Sequence, residues 1–370
     1  MFHEQLTEDV YHYTRNHLAG KAREYDNSQT FPEEFWQYLS KELRLFDYLI
    51  TKDPQPCSFR TFLESIRIIS KEFASLGSIL LTQGIYAIWT LDQFGTNSQK
   101  EKYLDSLLSG DKLGGFAFSE EDIRLKKELP HTLALQTEAG WILTGKKHMV
   151  SNANLADFLL VFALTKHLDG QEGTGIFIVN PHQEGVTVGQ AIEKHGVKAM
   201  PIAPISFNNV QLEADSLLGN HFDAVDILAQ VLVKMRLVIS AQALGIAEGV
   251  FKKGLDYSKL KRGFGKRPID VSVNQFKFSE IEMKLAACKA YYHEYIRGSM
   301  VDDRCASMLK LLTTSTAQEV AEEVVRITGA YSFIADNDIE RYVNDAKVTG
   351  LYGGSMDSLK RNIAQIWLED

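Results

Sequence analysis

Apolar residues recur at helical spacing through residues 2–109. Phe35, Leu39, Leu43 and Phe46, then Phe62, Ile66, Ile69 and Phe73, fall on one side of successive turns with polar residues between them, the three-to-four spacing of amphipathic helices. Residues 74–89 are apolar around almost the whole circumference, which predicts a helix covered on several sides. Between these runs, residues 51–58 (TKDPQPCS) hold two of the eight prolines and read as a loop. At Gly114 the period changes. Leu133, Leu135, Trp141 and Leu143 alternate with polar residues, and short apolar runs at 158–162, 176–179, 186–188 and 205–207 are separated by Gly, Asn and Pro, a pattern of β-strands. This β region ends near 218–220, and residues 225–261, 275–297, 307–327 and 356–367 then read as helices. The chain therefore predicts an α+β fold with an N-terminal α-helical domain over 1–110, a middle β-domain over 111–220 and a C-terminal four-helix bundle over 221–370. The short strands suggest an orthogonal sheet or small barrel between the two helical parts.

Composition narrows the function classes. A chain of 370 residues, 45% hydrophobic and 24% charged, has room for two or three domains around a large core. The net charge of −8 and short Lys/Arg runs argue against a general nucleic-acid surface. Cys57, Cys288 and Cys305 are odd in number and lack metal-ligand spacing, which suits free thiols in a reducing compartment. The first residues carry acids and histidines without a continuous apolar run, so neither a signal peptide nor a membrane span is expected, and cytoplasmic residence is.

Chemistry is not announced by any single motif. There is no metal-ligand set, no phosphate loop of recognised spacing and no nucleophile elbow. The ten histidines are scattered, and His148 and His195 read as surface-loop residues. Gly263, Phe264 and Gly265 beside Lys261 and Arg262 have the composition of a phosphate cradle, which is also common turn material. The stretch 341–355, RYVNDAKVTGLYGGS, contains the sharpest feature. A helical run through Ile339, Tyr342, Val343 and Ala346 is cut by Gly350, and a Tyr-Gly-Gly-Ser turn precedes a further helix. Gly353 and Gly354 permit positive φ, and Ser355 is placed to cap the next helix. By itself such a glycine pair is ordinarily only a turn.

An ordered set of segments nevertheless resembles the acyl-CoA dehydrogenases over nearly the whole chain. The segments are Phe31-Pro32-Glu33-Glu34, Gly95-Thr96 with Gln99-Lys100 and Tyr103-Leu104, Phe116 to Glu120, Trp141 to Gly145, Leu217 to Gly219, Arg236 with Ala241 to Gly245, Lys261 to Lys266, Gln275 to Lys277, Asp345 to Lys347 and Leu351 to Ser355. The resemblance implies an FAD cofactor and roles for individual positions. Ser119 and Ser151 stand where hydroxyls bond the flavin ring, and Met149 stands where a tryptophan usually covers it. Lys261 takes an arginine's place beside Arg262, Phe264 and Gly265 match, Ser272 and Arg326 replace two glutamines, and Gly329-Ala330 replaces a Gly-Gly pair. Ser355 completes the cofactor set. On the substrate side, Leu125 lies in the Arg124-Leu125-Lys126 segment that replaces a Gly-Ser-Asp pantetheine contact, and Arg236, Tyr352 and Gly353 line the reacting end.

In that family the turn reads Tyr-Glu-Gly-Thr, and its glutamate abstracts the substrate α-proton. Gly353 holds the glutamate's place here. A subset of members carries the base just before the arginine, where this chain has Met235. Tyr352, Asp357 and Glu120 remain as nearby candidates, although a tyrosine of ordinary pKa near 10 is protonated at neutral pH. Three readings follow: a thioester dehydrogenase with a non-standard or missing base, a flavin-dependent oxygenase or oxidase of the same fold, or a half-site subunit paired with a paralogue. The resemblance implies an acyl-CoA or acyl-carrier-protein substrate, an electron-transfer flavoprotein as acceptor, and a homodimer or homotetramer.

Overall fold

The helical spacing of the first hundred residues yields, among the described residues, helices α1 (Glu4–Tyr13), α2 (Ala22–Ser28), α3 (Glu33–Gln37), α4 (Phe59–Ser70), α5 (Ala74–Leu81), α6 (Thr90–Phe94) and α7 (Asn97–Leu108). The computed structural model describes residues 3–50, 58–121, 128–262, 265–297 and 302–368. Residues 51–57 of the expected loop at 51–58, with Cys57, the charged segment 122–127 with Leu125, and Gly263 and Phe264 lie outside the described residues. A π-helical segment, Thr82–Trp89, joins α5 to α6, and every residue from 74 to 91 is buried, as its all-round apolar sequence predicts. Thr96 and Gln99 form a reciprocal capping box that starts α7.

The alternating region forms β1 (Gly114–Ala117), β2 (Leu133–Thr137), β3 (Gly140–Ser151), β4 (Phe158–Lys166), β5 (Glu172–Val179), β6 (Val186–Val188) and β7 (Ile202–Glu213). These strands join in one seven-stranded sheet of order β1-β4-β2-β3-β7-β6, with β5 antiparallel along β4. β1 pairs with the first part of β4 and β2 with its last residues, both parallel. Trp141, Leu143, Val161, Phe177 and Phe207 fill the core of this part. The β3–β7 register shifts between Leu143 and Gly145 and again between Lys147 and Val150, and such bulges bend a strand and re-aim its side chains. His148 consequently belongs to a strand and not to a loop, because the alternation continues across the second irregularity. His195 is exposed between β6 and β7.

The remaining helices are α8 (Val225–Lys259), α9 (Ser272–Arg297), α10 (Asp303–Thr328), α11 (Ile339–Thr349) and α12 (Met356–Ala364). Two begin earlier than their apolar periodicity suggests. The Asp302 carboxylate accepts from the Cys305 N–H and starts α10, and α9 takes in the polar turn at 272–274. The last helix ends at Ala364 and continues as a 3-10 turn, Gln365–Trp367. α8 packs along α10 and across α4. Gly245 makes the second contact possible, since a Cβ there would stand 2.3 Å from the Arg67 carbonyl oxygen. Beside it Arg67 bonds Glu64 at 2.8 Å and Glu248 at 2.6 Å, a buried ion group that ties the N-terminal helices to α8.

Candidate active site

The Tyr-Gly-Gly-Ser turn lies between α11 and α12, and its shape is set by side chains from elsewhere. Gly353 and Gly354 have φ of +72° and +103°, the left-handed region open to glycine. Ser355 accepts from the Ser358 N–H at 3.3 Å and caps α12. The three carbonyls before that cap all meet cations. Lys310 Nζ on α10 donates to the Tyr352 carbonyl and, at 2.6 Å, to that of Gly354. Arg236 Nε on α8 donates to the Gly353 carbonyl at 3.1 Å. Arg236 also bonds Ser307 and pairs with Asp303 at the start of α10. Burial, and then the neighbouring Arg236 charge, pull the Lys310 amine down to about 7.

Beneath the turn the space is apolar and full. A Cβ at position 353 would stand 2.5 Å from Ile239 Cδ1, 3.1 Å from Met235 Cε and 3.5 Å from Lys310 Nζ. Met235 and Ile239 are fully buried on α8, and the Tyr86 hydroxyl, on the π-helical segment, donates to the Met235 sulfur. The Tyr352 hydroxyl donates to Gln242 Oε1 and lies 3.3 Å from Ser78 Oγ. Gln242 is itself held by its Nε2, which donates to the Ala74 carbonyl and to Ser78, each at 2.7 Å.

The three nearby candidates for a base differ in their surroundings. Burial raises the Tyr352 phenol above the ordinary tyrosine value, and its proton is committed to Gln242, so it stays neutral. Asp357 sits at the exposed start of α12, where a carboxylate complements the helix N-terminus. It is not among the buried groups facing the turn. Glu120 is spent on structure: it pairs with buried Lys147 at 2.6 Å and accepts from His131 N, Thr132 N and Thr132 Oγ1. Burial opposes its charge, but these donors win and hold it below the usual carboxylate range.

A second group of predicted positions meets where the chain just beyond β1 passes the second half of β3. The His148 N–H donates to the Ser119 carbonyl at 2.8 Å, and Ser151, at the end of β3, brings its carbonyl against Gly115. Between them Met149 adopts φ of +53° within the second bulge, and its side chain is 55% exposed. The structure thus gathers Ser119, Met149 and Ser151, with both hydroxyls half-buried and without a hydrogen-bond partner among the described residues. The third group surrounds the α8–α9 connection. The Arg262 guanidinium lies against the mutually packed rings of Tyr257 and Tyr331, 4.3 and 4.6 Å from their centroids. The contact with Tyr331 places Arg262 beside the end of α10, where Gly329 (φ +61°) and Ala330 are exposed. Lys261 is exposed, Ser272 opens α9, and Arg326 pairs with Glu323 at 2.8 Å, so its charge is already partly balanced.

Family models for the acyl-CoA dehydrogenase N-terminal domain (residues 2–111), middle domain (115–210) and C-terminal domain (225–368) all match the chain. The chain belongs to the acyl-CoA dehydrogenase family. It is 33% identical over 302 residues to an acyl-CoA dehydrogenase of Bacillus subtilis, covering 80% of this chain and 79% of the relative. Its fold superposes on butyryl-CoA dehydrogenase from Megasphaera elsdenii with a TM-score of 0.91 at 25% identity, over 99% and 97% of the two chains. It superposes on the prolyl acyl carrier protein oxidase AnaB with a TM-score of 0.90 at 23% identity, over 98% of each.

FAD is the cofactor of the acyl-CoA dehydrogenase family, and the residues present fit it. Unpartnered hydroxyls at Ser119 and Ser151 beside the apolar Met149 suit the polar edge and face of a flavin ring, and the oriented guanidinium of Arg262 suits a pyrophosphate. Lys310 is the group that reading the sequence missed. Its signal was available: Ala306, Leu309, Thr313 and Ala317 mark the buried face of α10, and a lysine on that face at 310 requires buried acceptors.

Proposed function

We propose that this acyl-CoA dehydrogenase relative is an FAD-dependent oxidoreductase acting on the CH–CH bond of an acyl thioester, carried by CoA or by an acyl-carrier protein. In this reading the base is absent from both family positions, which are occupied by Gly353 and Met235. The observation that carries it is the intact frame of the turn: Arg236 and Lys310 hold the three carbonyls of 352–354 although residue 353 has no side chain. That frame fixes where a substrate Cα would lie against residue 353. When bound, FAD would accept the hydride leaving Cβ, while the α-proton, with no side-chain base at either position, would pass to solvent. Ser119 and Ser151 orient the ring, Met149 covers it, and Arg262 with Lys261 meets the pyrophosphate. Loss of a general base commonly slows a reaction by about 10²–10⁴-fold, so slow turnover is expected.

The similarity to a carrier-protein oxidase supports keeping both thioester carriers open. Exposed apolar residues on the C-terminal helices and the turns beside them, among them Phe276, Met283, Phe333 and Trp367, support a homodimer or homotetramer. An electron-transfer flavoprotein as acceptor and residence in the cytoplasm, which the free thiols of Cys288 and Cys305 suit, belong to the same reading.

The test is anaerobic titration of the FAD-loaded protein with acyl-CoA and acyl-carrier-protein thioesters, followed by the visible spectrum. Bleaching of the flavin with formation of the enoyl thioester is the expected result. A flavin that every thioester leaves oxidised overturns the reading.

A further inference from the structure

Lys146 and Lys147 are neighbours on β3, yet the first is exposed and the second has a fully buried side chain, because successive residues of a strand point to opposite faces. A buried ammonium needs acceptors, and Lys147 finds them in the chain just beyond β1. Its Nζ pairs with Glu120 Oε1 at 2.6 Å and donates to the Phe118 carbonyl at 3.4 Å. These two residues flank Ser119, whose own carbonyl accepts from the His148 N–H at 2.8 Å. Residues 118, 119 and 120 are thus each tethered to residue 147 or 148, and a single ammonium makes two of the three tethers. The Glu120 carboxylate is fixed from its other side as well, by Thr132 N and Oγ1 on Oε1 and by His131 N on Oε2. Thr132 is fully buried, and its carbonyl accepts from Leu164 N on β4 at 2.8 Å. Lys147 therefore ties the Ser119 segment to a rigid part of the sheet.

We propose that Lys147 is a positioning residue for FAD: by holding the residues on both sides of Ser119, its ammonium sets where the Ser119 hydroxyl meets the flavin ring. The inference rests on the assignment of that hydroxyl to FAD made above, and it adds the buried pair that serves it. A serine hydroxyl stands one torsion from the main chain, so its place follows from the backbone of residue 119 and one staggered rotamer. Binding groups keep their geometry only when the residues behind them are themselves held. Glu120, a candidate base by its place in the sequence, acts here as the other half of the anchor.

The experiment follows FAD on the FAD-loaded protein in two ways: its dissociation constant, from the flavin fluorescence released on dilution, and the visible circular dichroism of the bound ring. Ser119→Ala sets the scale, with an expected loss of about 2–10-fold in affinity, the worth of one hydrogen bond. Lys147→Met is expected to lose as much and to change the dichroism in the same sense. Glu120→Gln/Lys147→Met also removes the carboxylate that the single variant leaves buried without its cation; it keeps the fold and is expected to show the same loss. In a Ser119→Ala background, either change at Lys147 costs less than about 2-fold more, since the hydroxyl it positions is gone. A purely structural lysine would lower affinity equally with and without that hydroxyl and leave the dichroism as in wild type, and this result overturns the proposal, as does wild-type affinity in both Lys147 variants. Unchanged affinity in Ser119→Ala overturns the assignment of the hydroxyl and the proposal with it, while the thioester reading stands. Wild type that takes up no FAD overturns the flavin reading and everything that rests on it.

Discussion

The reacting turn and the β1–β3 hydroxyl site place their information differently. At the turn, residues 353 and 354 have no side chains, and the specification lies in Arg236 and Lys310, which hold backbone carbonyls from two other helices. At the β1–β3 site the candidate groups are the side chains of Ser119 and Ser151 themselves, the first lying two residues beyond the end of β1 and the second at the paired end of β3. A frame built on backbone contacts keeps its shape when its own side chains change. This is how a turn keeps its geometry with glycine at 353, while a site built from side chains loses function one hydroxyl at a time.

Truncating the frame breaks this comparison most severely. Arg236→Ala removes a large buried side chain and three partners at once, and is expected to cost about 2–5 kcal/mol in urea unfolding. Lys310→Met keeps the volume but leaves two buried carbonyls unmet, a loss of about 1–3 kcal/mol in the same assay. The pH dependence gives that variant a second signature. Burial lowers the folded-state value of Lys310 to about 7 from an ordinary 10.5, so between these values the unfolded chain binds more protons and stability rises with pH. The urea midpoint of wild type should carry this rise from pH 7 upward, and Lys310→Met should lack it.

Gly353→Ala sharpens the comparison from within the turn. Its φ of +72° strains any side chain, and the added carbon would press on Ile239, so we expect destabilisation of about 1–2 kcal/mol by thermal melting. At the β1–β3 site, Ser119→Ala and Ser151→Ala should each weaken FAD binding by about 0.5–1.5 kcal/mol in a fluorescence titration while leaving the apoprotein's melting temperature near that of wild type.

Much of the fold was legible because it rests on local periodicity. The all-round apolar run gave the buried α5 and its π-helical continuation, and the change of period at Gly114 gave the sheet. Helix starts that depend on a polar cap, such as Asp302, were read late because apolar spacing is silent there. The site was legible only in part. The Gly353-Gly354 turn and the Ser355 cap follow from residue type, and the hydroxyl pair from the family resemblance. The contacts that shape the candidate site join residues far apart in the chain: Tyr86 with Met235, Lys310 with Tyr352, Gln242 with Ser78. No local pattern encodes such pairings. Glu120 shows the converse, a carboxylate close to the site in sequence that folding commits to Lys147.

The central claim is that the frame is intact and only the base is missing. It is tested most directly by the anaerobic rate of flavin reduction by a butanoyl thioester in wild type and in Met235→Glu, whose carboxylate would reach the space where Met235 Cε now meets position 353. The account predicts slow reduction in wild type and an acceleration of about 10²–10⁴-fold in the variant. Equal rates, with the variant folded and FAD-loaded, would show that the proton already has an acceptor elsewhere and would contradict the account.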